Sequence, residues 1–187
     1  MNFSIMKIIG VDPGSVVTGI GIIECKNDRL KLLHYDALVL NSKLPLTNRL
    51  KIIYDRCLEK IKKFNPDEFS IETAYFGKNI QSTLKLGQAR GVAIIAALNS
   101  NLNVSEYSPR EVKKSVTGNG ASSKEQVKYM VKSILSITKE PEYMDSSDAL
   151  AIALCHYYSL QNKINKSYNK KYSWKDYVEK NPGRILK

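Results

Sequence analysis

The chain has 187 residues, 43% of them hydrophobic and 25% charged, a balance that buries a full core in one domain and excludes a largely disordered polypeptide. No run approaches the roughly 20 apolar residues needed to span a bilayer, and no basic region precedes the first apolar run as in a signal peptide, so neither a membrane protein nor an exported one is expected and the location is cytoplasmic. The net charge of +11, from 29 Lys and Arg against 18 Asp and Glu, points to a polyanionic partner.

That excess is concentrated. After Leu160 stand eight basic and two acidic residues, and residues 78–132 hold nine basic and three acidic ones, which leaves the remainder close to neutral. The division suggests a body, residues 1–160, and a basic C-terminal tail, residues 161–187, with little apolar content before Trp174 and Tyr177, expected as an extended or partly ordered arm. Cys25, Cys57 and Cys155 lack the close pairing of zinc sites and redox motifs and are expected as reduced thiols.

Residues 7–11 and 18–23 are short apolar runs joined by DPGS, whose Pro and Gly suit a turn, so they are predicted as a hairpin. A third strand over 32–40 follows the turn signal at Asn27 and Asp28 and completes an antiparallel meander. Over 47–64 the residues Leu50, Ile53, Tyr54, Cys57, Leu58 and Ile61 recur at the spacing of one helix face, which Pro66 ends. EFSIE, residues 68–72, resumes as a strand, and the helix before it is a crossover that lays this strand parallel beside the meander. Residues 79–98 are predicted as a long helix despite Gly87 and Gly91, and 103–107 as a fifth strand. Ser108, Pro109 and Glu111 combine a cap, a first-turn proline and a capping-box acid, opening a short helix to Val116. Beyond the glycine-rich TGNGASS, Ser122 and Glu125 repeat the capping box and open a helix to Leu135; Asp145 or Ser146 opens a last helix that ends near Leu160. The class is α/β.

Two acids sit at the carboxyl ends of these strands, Asp12 after the first and Glu72 after the fourth, where open sheets form their ligand sites. Asp145 and Asp148, three apart at a helix start, project from one face and repel. Singly, each has an ordinary role as turn former or helix-dipole partner. Together, four clustered carboxylates call for a hard divalent cation such as Mg²⁺, and a pair of such ions beside a basic surface suits phosphodiester hydrolysis.

The motifs GVDPGSVVTGIGII, IETAYFGKN, LKLGQARGVAIIAAL, YSPREVKKSVTGNGASSKEQV and DSSDALAIALCH occur in the order of the RuvC family of Holliday-junction resolvases, which the chain resembles from Ile8 to about Tyr158. The resemblance implies a ribonuclease-H-like fold with a five-stranded mixed sheet flanked by helices. It also implies a homodimeric crossover junction endodeoxyribonuclease that nicks two opposed strands of a four-way junction, leaving 5′-phosphate and 3′-hydroxyl ends, in recombination and repair. Asp12, Glu72, Asp145 and Asp148 correspond to the catalytic metal ligands, with two Mg²⁺ per subunit and Mn²⁺ as the alternative. Tyr75 falls where the family places an aromatic that stacks on an unpaired base, although a core role suits it equally, and Lys113 and Lys124 fall at the junction-binding lysines. The family's dimer helix begins at Asn79, where Gly87, Ala89, Gly91 and Ala93 permit close approach either to a partner or to the chain's own sheet. A RuvA–RuvB branch-migration complex is the further partner implied. His156, two turns beyond Asp148, reads as structural.

Three alternatives stay open on the residues alone. DPGSVVTGIG also looks like the first phosphate loop of actin-like ATPases and sugar kinases, which repeat their fold in two halves. A ribonuclease-H-like enzyme acting on RNA or hybrids, and a junction-binding module without catalysis, are the others.

Overall fold

The computed structural model describes residues 5–27, 29–73, 79–138 and 144–169. Strands β1 (Met6–Asp12), β2 (Val17–Lys26) and β3 (Arg29–Val39) form the antiparallel meander, with a register shift in β2 at Ile22 and Ile23. Helix α1 (Leu46–Phe64) crosses over to β4 (Glu68–Glu72), and α2 (Ile80–Leu98) crosses to β5 (Asn103–Tyr107); β4 lies parallel to both β1 and β5. The sheet order is β3-β2-β1-β4-β5, the mixed five-stranded sheet expected. Helices α3 (Pro109–Thr117), α4 (Lys124–Ile134) and α5 (Met144–Asn169) follow among the described residues.

Side chains alternate across a strand, so the sheet has two different faces. Ile9 and Val11 of β1, Ile20 and Ile22 of β2, and Phe69 and Ile71 of β4 enter one core with Ile53, Cys57 and Ile61 of α1 and Ala89, Ala93, Ala96 and Ala97 of α2. The opposite face carries Ile8, Gly10 and Asp12 on β1, Gly19 and Gly21 on β2, and Ser70 and Glu72 on β4. Small residues here admit α5. A Cβ on Gly10 would collide with the Ala149 carbonyl and come within 2.7 Å of the Ala153 amide, one on Gly19 would collide with the Asp145 carbonyl, and one on Gly21 would reach Leu150 at 2.8 Å. The first half of α5 thus lies with its backbone against β1 and β2.

Helix starts follow the local chemistry with one correction. Ser108 caps α3 through the expected box, its hydroxyl accepting from the Glu111 amide while Glu111 accepts from the Ser108 amide. For α4 the cap is Ser123, boxed with Gln126, one residue later than the Ser122–Glu125 pair predicted. The Ser122 hydroxyl is buried and engaged 2.8 Å from Thr117 Oγ1, which removes it from capping. The last helix is described from Met144 and continues past the expected end near Leu160 to Asn169 through QNKINKSYN, which has neither Pro nor Gly to stop it.

Two compact units are distinguished: Met1–Tyr157, which holds the sheet, and Tyr158–Lys187, whose described part is the continuation of α5. All three cysteines are buried free thiols. Among the described residues no helix is long and apolar enough to cross a membrane.

Candidate active site

Asp12 is the last residue of β1 and Glu72 the last of β4. Because β1 and β4 are parallel neighbours with Val11 opposite Ile71, the two acids end adjacent strands at the same sheet edge, and the two-residue period turns both toward the face that carries α5. The glycine-backed contact of α5 brings its start, with Asp145 in the first turn and Asp148 just beyond it, to that edge. Four acids separated by up to 136 positions are collected by one strand pair and one helix terminus.

Both strand ends are braced. Downstream of Asp12, Thr18 Oγ1 donates to the Gly14 carbonyl at 2.7 Å, and the buried Arg49 of α1 donates to the Ser15 carbonyl at 2.6 Å and the Leu44 carbonyl at 3.2 Å. At Glu72, Arg90 of α2 donates from Nε to the main-chain carbonyl at 3.2 Å while its guanidinium pairs with Glu106, and the following amide, of Thr73, donates to the Tyr107 carbonyl at 2.9 Å. Arg49 and Arg90 were not singled out from sequence. The available signal was a cation placed on the packed side of a helix, beside Leu50 and Ile53 in one case and within the small-residue run QARGVA in the other.

A cleft of about 300 Å³ opens between these elements, lined by Asp12, Glu72, Asp148, Lys113 of α3 and Lys124 of α4, with Pro109, Val112, Val127 and Ala151 supplying its apolar wall. Burial, and then the charges of Glu72, Asp148 and Asp145, push the Asp12 carboxyl up to about 8, against the pull of Lys124. Glu72 is pushed up to about 7 by burial and then by Asp148, with Lys124 and Lys113 opposing. The Lys124 ammonium lies 3.0 Å from Asp148 Oδ2, and this hydrogen bond raises its own pKa. Asp145 does not line the cleft but acts on Asp12 through its charge. Among the described residues no three Asp, Glu, His or Cys groups are already drawn together tightly enough to hold an ion. The donor set nevertheless fits a hard cation: all donors are carboxylate oxygens, and two of them hold their protons near neutrality because burial, and then neighbouring like charge, disfavours the ionised form. Tyr75 lies outside the described residues.

The family model described as crossover junction endodeoxyribonuclease RuvC matches residues 8–156. The chain belongs to this family. It is 48% identical over 186 residues to the crossover junction endodeoxyribonuclease RuvC of Chloroherpeton thalassium, covering 97% of this chain and 100% of that one. To the RuvC of Christiangramia forsetii it is 42% identical over 179 residues, covering 95% and 92%. The solved structure of Thermus thermophilus RuvC in complex with Holliday junction substrate matches with a TM-score of 0.79 at 31% identity, covering 84% of this chain and 96% of that one. Its fold is the one the sequence motifs implied, and membership in the RuvC family removes the actin-like kinase alternative.

Proposed function

We propose that the protein resolves four-way DNA junctions by paired symmetric nicks during recombination and repair, leaving 5′-phosphate and 3′-hydroxyl ends. The observation that carries this is the convergence of Asp12, Glu72 and Asp148 with two lysines in one cleft, in a chain of the RuvC family. Asp12, Glu72, Asp145 and Asp148 are the residues that would hold the metal. When bound there, two Mg²⁺ ions, or Mn²⁺ in their place, supply an activated water and stabilisation of the leaving oxygen. Asp12 and Glu72 enter partly protonated and release those protons on loading. Lys113 and Lys124 hold the scissile phosphate and its neighbours, while Arg49 and Arg90 keep the two strand ends in place. Tyr75 is the proposed stacking residue at the crossover.

The enzyme acts as a homodimer through α2. Ala89 and Ala93 pack on the chain's own sheet, but Gly87 and Gly91 face open space, and they lie in a stripe with Ile80, Leu84, Ile95 and Leu98, which are 75%, 62%, 50% and 51% exposed. These six positions repeat at i, i+4, i+7, i+11, i+15 and i+18, one narrow helix face opposite the buried alanines. A RuvA–RuvB complex is the proposed branch-migration partner, on the strength of family membership.

Synthetic four-way junctions, linear duplex and an RNA/DNA hybrid, each incubated with Mg²⁺ and either wild type or Asp12→Asn, test the proposal. Symmetric nicking of the junction by the wild type alone is expected. Preference for the hybrid, or equal cutting by the variant, overturns it. Leu84→Lys is expected to yield a monomer in analytical ultracentrifugation, and an unchanged dimer overturns the α2 interface.

A further inference from the structure

Glycine packing ties α5 to β1 and β2 and so sets Asp148 against Asp12. A different device ties α5 to β4 and β5. His156, on α5 two turns past Asp148, is 1% exposed, and a buried imidazole requires polar partners. Its Nδ1 lies 2.7 Å from the Tyr107 hydroxyl, with the rings in tilted contact, and its Nε2 lies 3.4 Å from Glu68 Oε2. The Glu68 carboxylate is near Nε2 but makes no hydrogen bond to it; its charge favours a proton there, and in that tautomer Nδ1 accepts from the Tyr107 hydroxyl.

The two partners stand at opposite ends of the strand pair that carries Glu72. Glu68 begins β4; Tyr107 ends β5 directly opposite Glu72, and its carbonyl accepts from the Thr73 amide just past that acid. One imidazole therefore connects the start of β4, the end of β5 and the helix that bears Asp148. Rigid links from both sides are what hold ligand groups at a fixed separation, and loosening either lets the ligand spacing drift.

We propose that Tyr107 and His156, with Glu68 behind them, form a strut that sets the spacing of Glu72 from Asp148, making His156 and Tyr107 positioning residues for divalent-ion binding in the cleft. This rests on the assignment of those acids as metal ligands.

The test measures Mn²⁺ binding by electron paramagnetic resonance on the DNA-free protein, together with kcat and KM on a synthetic junction, for wild type, Tyr107→Phe, His156→Asn and His156→Leu. Asn carries an amide near the position of Nδ1 and can keep the bond to Tyr107; Leu cannot. Tyr107→Phe and His156→Leu are expected to weaken Mn²⁺ binding by about tenfold. They also lower kcat at limiting metal, leave KM for the junction unchanged, and recover as metal is raised. His156→Asn lies between them and wild type. Tyr54→Phe, which removes a hydroxyl bonded to Asn99 on the other side of the sheet, is the control and binds Mn²⁺ as wild type does. Wild-type Mn²⁺ affinity in Tyr107→Phe and in whichever His156 variants fold, even with a lowered Tm, overturns the strut. A wild type that binds no Mn²⁺ overturns the metal assignment and the strut with it.

Discussion

Lys124 opens α4 and Asp148 is the fifth residue of α5, yet the Lys124 ammonium lies 3.0 Å from Asp148 Oδ2 at the mouth of the carboxylate cleft. The lysine is two-thirds exposed, so as an ion pair it contributes little to stability. Under the proposed function its role is to place a cation where a phosphate approaches the carboxylates of the cleft. Lys124→Met is expected to cost less than ~1 kcal/mol in denaturant unfolding. Junction cleavage should fall at least tenfold, and the slope of log affinity against log salt should shrink by about one, as for the loss of one phosphate contact. A large Tm loss with unchanged cleavage would contradict this division of labour.

Asp12 gives a pH dependence of defined sign. Its folded-state pKa of about 8 lies above the ordinary 3.8, so between those values the folded protein holds a proton that the unfolded chain has released. Stability from this group is therefore full below about pH 4 and is lost as pH rises through about 8. Asp12→Asn has no such loss. In chelator, the variant should gain on wild type between pH 5 and 8 by an amount on the order of 4 kcal/mol, a Tm gap of roughly 10 °C. Mg²⁺ should close that gap by stabilising only the wild type. A gap that stays constant with pH would show that Asp12 is not the buried, repelled group described.

The close seat of α5 makes Gly10 sensitive to a single methyl. In Gly10→Ala the new carbon meets the Ala149 carbonyl and the Ala153 amide, both backbone, so the helix itself must shift. The expected cost is ~1–3 kcal/mol in denaturant unfolding. Mn²⁺ binding should weaken as well, because the same shift moves Asp148 relative to Asp12. Loss of stability with unchanged Mn²⁺ affinity would separate the seat of the helix from the geometry of the site.

What the residue order reveals depends on how local the cause is. The positions of Asp12 and Glu72 follow from strand ends and period-two alternation, both visible in short windows, and so does the Ser108 cap. Ser122 and Ser123 each have an acceptor three residues on, Glu125 and Gln126, and only the contact of Ser122 with Thr117 decides between them. Arg49 and Arg90 act on carbonyls 34 and 18 positions away, and Gly10, Gly19 and Gly21 matter because of a helix more than 120 residues later. Nothing in their own neighbourhoods announces this. Gly87 and Gly91 are the reverse case: their helix was expected, but their packing choice appears only when the alanines are seen to take the sheet side.

A second charged cluster lies far from the cleft in sequence and gives a test of stability alone. The Lys60 ammonium, almost fully buried, lies 2.8 Å from both His34 Nε2 and Asp36 Oδ2. Burial by itself would push the Asp36 carboxyl up, but hydrogen bonds from His34 and Lys60 and the Lys60 charge outweigh it and hold it down at about 2. A depressed carboxyl contributes stability above its unfolded value near 4 and loses it as pH falls toward 2. Lys60→Met is expected to cost ~2 kcal/mol at pH 7, measured by urea unfolding, with the difference from wild type shrinking below pH 4. Equal losses at pH 7 and pH 2.5 would place the cost in packing rather than charge.

The C-terminal segment supplies the last prediction. A truncation after Asn169 keeps all of the described α5 while removing six basic and two acidic residues. Nonspecific phosphate contacts are read out as salt dependence, with each neutralised phosphate changing the slope of log affinity against log salt by close to one. Deleting residues 170–187 is expected to reduce that slope for junction binding by about 2–4 and to leave nicking at low salt unchanged, because the cleft lies wholly upstream. Fluorescence anisotropy on a labelled junction between 50 and 300 mM salt, roughly the range over which such contacts are lost, makes the measurement. An unaltered slope would mean that the basic tail does not engage the DNA backbone, and that the six cations serve something other than substrate affinity.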